Sequence, residues 1–184
     1  MFAARGVALT RPLAARLASP FHSSAPAFVQ VGDKLPQVDL MEGSPGNKVN
    51  LAQELSKGKG LIIGVPAAFS PACSETHIPG FINSAKLKSA GRVFVVSVND
   101  AFVMKAWAKS LDPSGGSGIR FLADPTLDFT NALDLAFDGA AAIFGGSRGK
   151  RYVLVTEDGA VKEAHVEPDN TGLNVSAVEK VLGS

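Results

Sequence analysis

A chain of 184 residues, 46% hydrophobic and 19% charged, can bury one core and is too short for two ordinary domains. Its formal net charge of +1 gives no reason to expect nucleic acid or an anionic membrane surface as a partner. A single cysteine excludes an internal disulfide or a zinc site of several thiolates, and the three histidines show no ligand spacing.

In chain order, residues 1–28 read as a mitochondrial transit peptide. Arg5, Arg11 and Arg16 are spaced among alanines and serines, and the first carboxylate is Asp33. Such a segment is cationic to follow a negative-inside potential and amphipathic to meet its receptors, whereas a secretory signal needs an unbroken apolar core. Cleavage is expected between Leu17 and Phe28, with the matrix as destination. Residues 29–184 form the expected folded domain, with 15 basic and 17 acidic side chains. No apolar run approaches the roughly 20 residues of a membrane-spanning helix.

Residues 37–57 carry a Pro-Gly turn and a short helix and read as an N-terminal extension. Residues 60–65 and 92–98 are β-branched runs bounded by Gly and Asn, as suits strands buried on both faces. Between them, Cys73 to Ser89 has helical length. A helix over 101–111 leads through a Gly-rich loop to a strand at 119–123, and Asp124-Pro125 suits the start of a helix over 126–136. Runs at 151–156 and 161–166 flank an Asp-Gly pair, the mark of a β-hairpin. A helix over 176–182 closes the chain. The order is α/β, a βαβαβ unit followed by a hairpin and a helix, as in a thioredoxin-like fold with an N-terminal extension.

Ser70 suits a helix N-cap and Pro71 a first helical residue, which places Cys73 in the first turn, where unpaired amides and the helix dipole favour the thiolate. An inert buried cysteine is the competing interpretation. The segment Pro66-Ala-Ala-Phe-Ser-Pro-Ala-Cys73 resembles the peroxiredoxin active-site motif of a proline, three residues, Thr or Ser, Pro, any residue and the peroxidatic cysteine. The run from Ser74 to Phe81, residues 121–126, Lys150-Arg-Tyr152 and residues 166–172 are similar to the type V group. The resemblance covers roughly residues 31–184.

It implies a thiol peroxidase acting on hydrogen peroxide and organic hydroperoxides, with Pro66, Ser70, Cys73 and Arg151 as the catalytic set. Ser70 would hold the peroxide, Arg151 would stabilise thiolate and transition state, and Pro66 would shield the sulfenic acid. Relatives more often carry Thr at Ser70. Arg151 could instead be a solvated edge charge, with Arg148 as its rival. His77 is expected to give support rather than base catalysis. Asn174 falls where some relatives hold a resolving cysteine, so an external thiol, glutathione with glutaredoxin or thioredoxin, would close the cycle. The resemblance also implies a homodimer. No cofactor or metal is implied.

Two other functions stay open on sequence alone: an interaction module with a silent Cys73, and a cysteine hydrolase pairing Cys73 with His77. The run from Phe144 to Lys150 fails as a phosphate loop, because Phe144 replaces its first Gly and Arg151 its Ser or Thr.

Overall fold

The computed structural model describes Met1 and residues 28–183; the expected transit peptide lies almost wholly outside the described residues. One sheet of seven strands organises the chain, in the order β2-β1-β5-β4-β3-β8-β9. Strands β3 (Lys59–Gly64), β4 (Arg92–Ser97) and β5 (Arg120–Ala123) run parallel at its centre. The hairpin of β8 (Tyr152–Glu157) and β9 (Ala160–Val166) pairs antiparallel with β3. On the opposite flank, β1 (Asp39–Glu42) pairs antiparallel with both β5 and β2 (Ser44–Asn50).

The central strands lack polar alternation because both faces are buried. Ile62, Phe94, Val96, Leu122 and Leu154 point into one apolar layer, while Leu61, Ile63, Val93, Val95, Phe121 and Val153 point into the other. Side chains alternate with a period of two, so a strand between two layers must be apolar throughout. The first layer is covered by α1 (Leu51–Glu54) and α4 (Asp128–Ala132). The second receives α2 (Ile78–Ile82) and α3 (Ala101–Leu111), whose Trp107 is wholly buried.

Several local expectations need correction. The Pro45-Gly46 pair lies inside β2, and the chain reverses at Gly43, where φ is +67°. The segment from Cys73 to Ser89 is not one helix. A π-helical turn over Ala72–His77 runs into α2, ends at Asn83, and resumes as a 3-10 turn over Leu87–Ala90. The Ser84 hydroxyl accepts the Lys86 amide there, a local bond that competes with helix continuation.

The helix expected over 126–136 shrinks to α4 because the buried Asp124 carboxylate accepts the amides of Phe129 and Thr130, which sets the start later. The closing helix is reduced to α6 (Val178–Val181). Between residues 136 and 149 a short pair, β6 (Ala136–Phe137) and β7 (Arg148–Gly149), encloses α5 (Ala140–Phe144), none of it anticipated. The Asp-Gly hairpin does form, with φ of 51° at Asp158 and 77° at Gly159, the two positive values a type I′ turn requires. Among the described residues no helix is long and apolar enough to cross a membrane.

Candidate active site

The site lies at the end of the sheet where the parallel strands finish. Beyond β3, Val65 N donates to Val96 O at 3.0 Å, and the chain turns at the buried Pro66. The next residues are braced from the end of β4. Ser97 Oγ, with one proton to share, lies 3.1 Å from Val65 O and 2.8 Å from Asn99 Oδ1, and Asn99 Oδ1 also accepts the Ala68 amide at 3.0 Å. Phe69 sits in the left-handed region at φ 62°, a strained conformation for a bulky residue.

Ser70 does not cap the helix through its side chain. Its hydroxyl donates to Ala67 O at 3.0 Å, while its carbonyl accepts the Ser74 amide at 2.9 Å. With that proton committed, the oxygen's lone pairs are left to accept from a bound hydroperoxide.

Cys73 falls in the first turn, as the sequence indicates, but the turn is π-helical: Ile78 N donates to Cys73 O, five residues back. From α3, Trp107 Nε1 donates to Ser74 Oγ at 3.0 Å and ties the turn to that helix. Cys73 is free and has no exposed surface.

Arg151, immediately before β8, is only 2% exposed, so it is not an edge charge. Its Nη1 lies 3.3 Å from Cys73 Sγ and 3.1 Å from His77 Nδ1. Nε donates to Gly172 O at 2.8 Å, and Nη2 donates to Thr171 O at 3.0 Å. The salt bridges among the described residues are Arg92–Glu54, Arg120–Glu42, Arg120–Glu54 and His165–Glu163, so no carboxylate neutralises Arg151. Arg148, the rival, donates from Nη1 to the adjacent Ser147 O and lies over the Phe144 ring, apart from this cluster.

His77 is a fixed neutral spacer. Arg151 can only donate, so His77 Nδ1 accepts and Nε2 carries the hydrogen, donated to Ser176 O at 3.0 Å. Burial, and then the Arg151 charge, lower its pKa to about 3. A ring with both nitrogens so engaged is not placed to take a proton from Cys73, which removes the structural basis for a Cys–His hydrolase.

Glu167 is a functional residue that the sequence did not reveal. Its amide donates to Arg151 O at 3.0 Å, and its carboxylate accepts from Asn174 N at 2.7 Å, Ser176 N at 2.8 Å and Ser176 Oγ at 2.7 Å. Burial opposes its ionisation, yet these hydrogen bonds outweigh it and hold the carboxyl below its usual range. The loop from Glu167 to Ser176 is thereby fixed with the Thr171 and Gly172 carbonyls on Arg151 and the Ser176 carbonyl on His77. The Gly172 amide donates to Asp169 Oδ1 at 2.8 Å, a further bond that shapes this loop. Asn174 is exposed on this loop.

The arrangement offers one sulfur, a buried guanidinium aimed at it, a hydroxyl one turn away and no cluster of metal-ligating residues among those described. Comparison with known proteins gives concordant findings. The Redoxin family model matches residues 30–182. The chain is 43% identical over 160 residues to peroxisomal membrane associated protein 20 of Schizosaccharomyces pombe, covering 85% of this chain and 99% of that one. It is 38% identical over 162 residues to peroxiredoxin-2C of Oryza sativa subsp. japonica, with 85% and 98% covered. Reduced Prx3 of Vibrio vulnificus, solved in complex with hydrogen peroxide, superposes with a TM-score of 0.75 at 36% identity, covering 84% of this chain and 97% of that one.

Proposed function

This chain belongs to the redoxin family and is a peroxiredoxin, a thiol peroxidase, and from that premise we propose that it reduces hydrogen peroxide and organic hydroperoxides by a single-cysteine cycle of the type V kind. The observation that carries the proposal is the 3.3 Å approach of Arg151 Nη1 to the only cysteine, by a buried guanidinium without a carboxylate partner. Only the thiolate form of a cysteine is nucleophilic, and the guanidinium faces the sulfur at this distance. That sulfur attacks the far oxygen of the peroxide. The O–O bond breaks, and the leaving alkoxide or hydroxide takes a proton, giving Cys73 sulfenic acid and an alcohol or water. Ser70 Oγ accepts from the bound hydroperoxide, Arg151 faces the charge spread over sulfur and the two oxygens, and Pro66 walls the sulfenic acid from water.

Cys73 has no exposed surface, so a peroxide reaches it only with movement of the residues around it.

With no second cysteine to condense with, the sulfenic acid is reduced by an external thiol, glutathione with glutaredoxin or thioredoxin. The Arg-rich, acid-free residues 1–28 support delivery to the mitochondrial matrix, leaving a domain from about residue 29. Exposed Phe69, Phe102 and Ile143 follow β3, follow β4 and precede β8, all at the Cys73 end of the sheet, and support a homodimer through that end. The deciding experiment is a peroxidase assay with each reductant in turn, on wild type and Cys73→Ser. Turnover that persists in Cys73→Ser, or with every thiol withheld, would end this reading.

A further inference from the structure

A second polar cleft opens beside the site, beyond the ends of β4 and β5. It encloses about 550 Å³, and Asn99, Asp100, Thr126, Leu127, Ser147 and Arg148 line it. Most of its polar groups already have partners. Asp100 Oδ1 accepts the amides of Phe102 and Val103, Thr126 donates to Asp128, and Asn99 Oδ1 is shared by Ala68 and Ser97.

Arg148 brings the cleft its positive charge. Its Nη1 donates to Ser147 O at 2.9 Å and its Cζ lies 5.9 Å from the Phe144 ring centroid, contacts that hold the guanidinium in place. Its Nε is buried with no hydrogen-bond partner. Because Nε is out of reach of solvent, a carboxylate entering the cleft meets the terminal Nη edge of the guanidinium, which can grip it through two parallel hydrogen bonds. Among the described residues no carboxylate forms a salt bridge with Arg148, so its charge is left for an anion from outside the chain.

The cleft is joined to the active-site loop. Asn99, in its wall, holds the Ala68 amide, five residues before Cys73. The Cys73 loop follows β3 and Thr126 follows β5, with β4 between them. Adjacent strands are about 4.8 Å apart, so the ends of β3 and β5 from which the two segments leave stand about 10 Å apart. An extended tripeptide, at about 3.4 Å per residue, spans that distance.

We propose that this cleft is the docking site of the recycling thiol, a small peptide thiol whose carboxylate pairs with Arg148 while its sulfur meets oxidised Cys73. The inference rests on the external-thiol reading above. The first thiol condenses with Cys73 sulfenic acid to a mixed disulfide, releasing water. A second attacks that disulfide, freeing the Cys73 thiol and leaving the two small thiols joined as their own disulfide. The two electrons received by Cys73 come one from each thiol.

The test compares glutathione, glutathione diethyl ester and dithiothreitol as reductants for the full chain, in wild type, Arg148→Met and Arg148→Lys. Arg148→Met should raise the KM for glutathione about tenfold, as expected for loss of one charge-assisted pair. It should leave the diester and dithiothreitol unchanged, with Arg148→Lys intermediate and the peroxide step unaffected in both. S-methylglutathione, which needs no turnover to be measured, should bind wild type at least tenfold more tightly than Arg148→Met. Equal losses with all three reductants, an unchanged glutathione KM, or a shift in sedimentation without a change in that KM would overturn the site alone. Failure of glutathione to support any turnover would overturn the recycling reading on which the site rests.

Discussion

The guanidinium of Arg151 stands 3.3 Å from Cys73 Sγ and is held there by backbone carbonyls rather than by an acid. A carboxylate partner would neutralise the cation, whereas the Thr171 and Gly172 carbonyls orient it and leave its charge for the sulfur and the departing oxygen. Lysine in its place keeps the charge and loses the fork. Arg151→Lys should lower the rate constant for Cys73 oxidation by about 10²-fold, in the range of losing one oxyanion donor. Competition against catalase for hydrogen peroxide measures it. A rate within threefold of wild type, in a variant with an unaltered thermal transition, would show that positive charge suffices.

The chain has a single tryptophan, and Trp107 Nε1 donates to the hydroxyl of Ser74, the residue after Cys73. Oxidation of the sulfur alters the turn that the indole is bonded to. Rapid mixing with peroxide should therefore change tryptophan fluorescence at a rate proportional to peroxide concentration. Cys73→Ser should show no change. A Trp107 signal indifferent to peroxide in wild type would mean that the first turn does not respond to the chemistry.

His77 links the site to acid stability. Its pKa is lowered from 6.5 to about 3, by burial first and the Arg151 charge second. Between these values the unfolded chain binds a proton that the folded chain refuses, so stability declines as pH falls from 6.5 toward 3, by up to about 1.4 kcal/mol per pH unit. Glu167, held below its usual 4.5, adds its own loss only as pH drops past that value. The interval from pH 6.5 to 5 therefore isolates the histidine. Urea midpoints should fall across it in wild type and remain nearly level in His77→Gln. Parallel slopes for the two proteins would place the acid sensitivity elsewhere.

These properties differ in how far the sequence reveals them. The central strands are legible because burial on both faces demands unbroken apolar runs such as Leu61-Ile-Ile63, and the hairpin because Asp158-Gly159 fits two positive φ values. Strands β1 and β2 are not, since only Leu40 and Val49 are buried on them and the rest is half-exposed or exposed and, apart from Met41, Pro45 and Gly46, polar. Helices fall short of their expected length where a side chain competes with the helix, as Asp124 does before α4. In the site, the motif announces Pro66, Ser70 and Cys73 because they are close in sequence. The burial of Arg151 depends on carbonyls twenty residues away, and Glu167 works through backbone amides; such contacts leave no side-chain pattern to read.

The last structural dependence joins the sheet to the chemistry. Gly64, at the end of β3, pairs with Tyr152 on β8, and a Cβ there would lie 2.0 Å from Tyr152 Cε1. The ring is 1% exposed in a packed layer and cannot simply swing aside. Gly64→Ala should destabilise the protein by about 1–3 kcal/mol, the usual range for overpacking. Tyr152 directly follows Arg151, so the displaced ring also drags the guanidinium from Cys73, and peroxide reactivity should drop with stability. Adding Tyr152→Ala to Gly64→Ala separates the two effects: relief of the clash should recover part of the reactivity while stability stays low from the cavity left behind. A Gly64→Ala protein with wild-type melting temperature and wild-type peroxide kinetics would show that neither the ring nor Arg151 depends on the missing side chain.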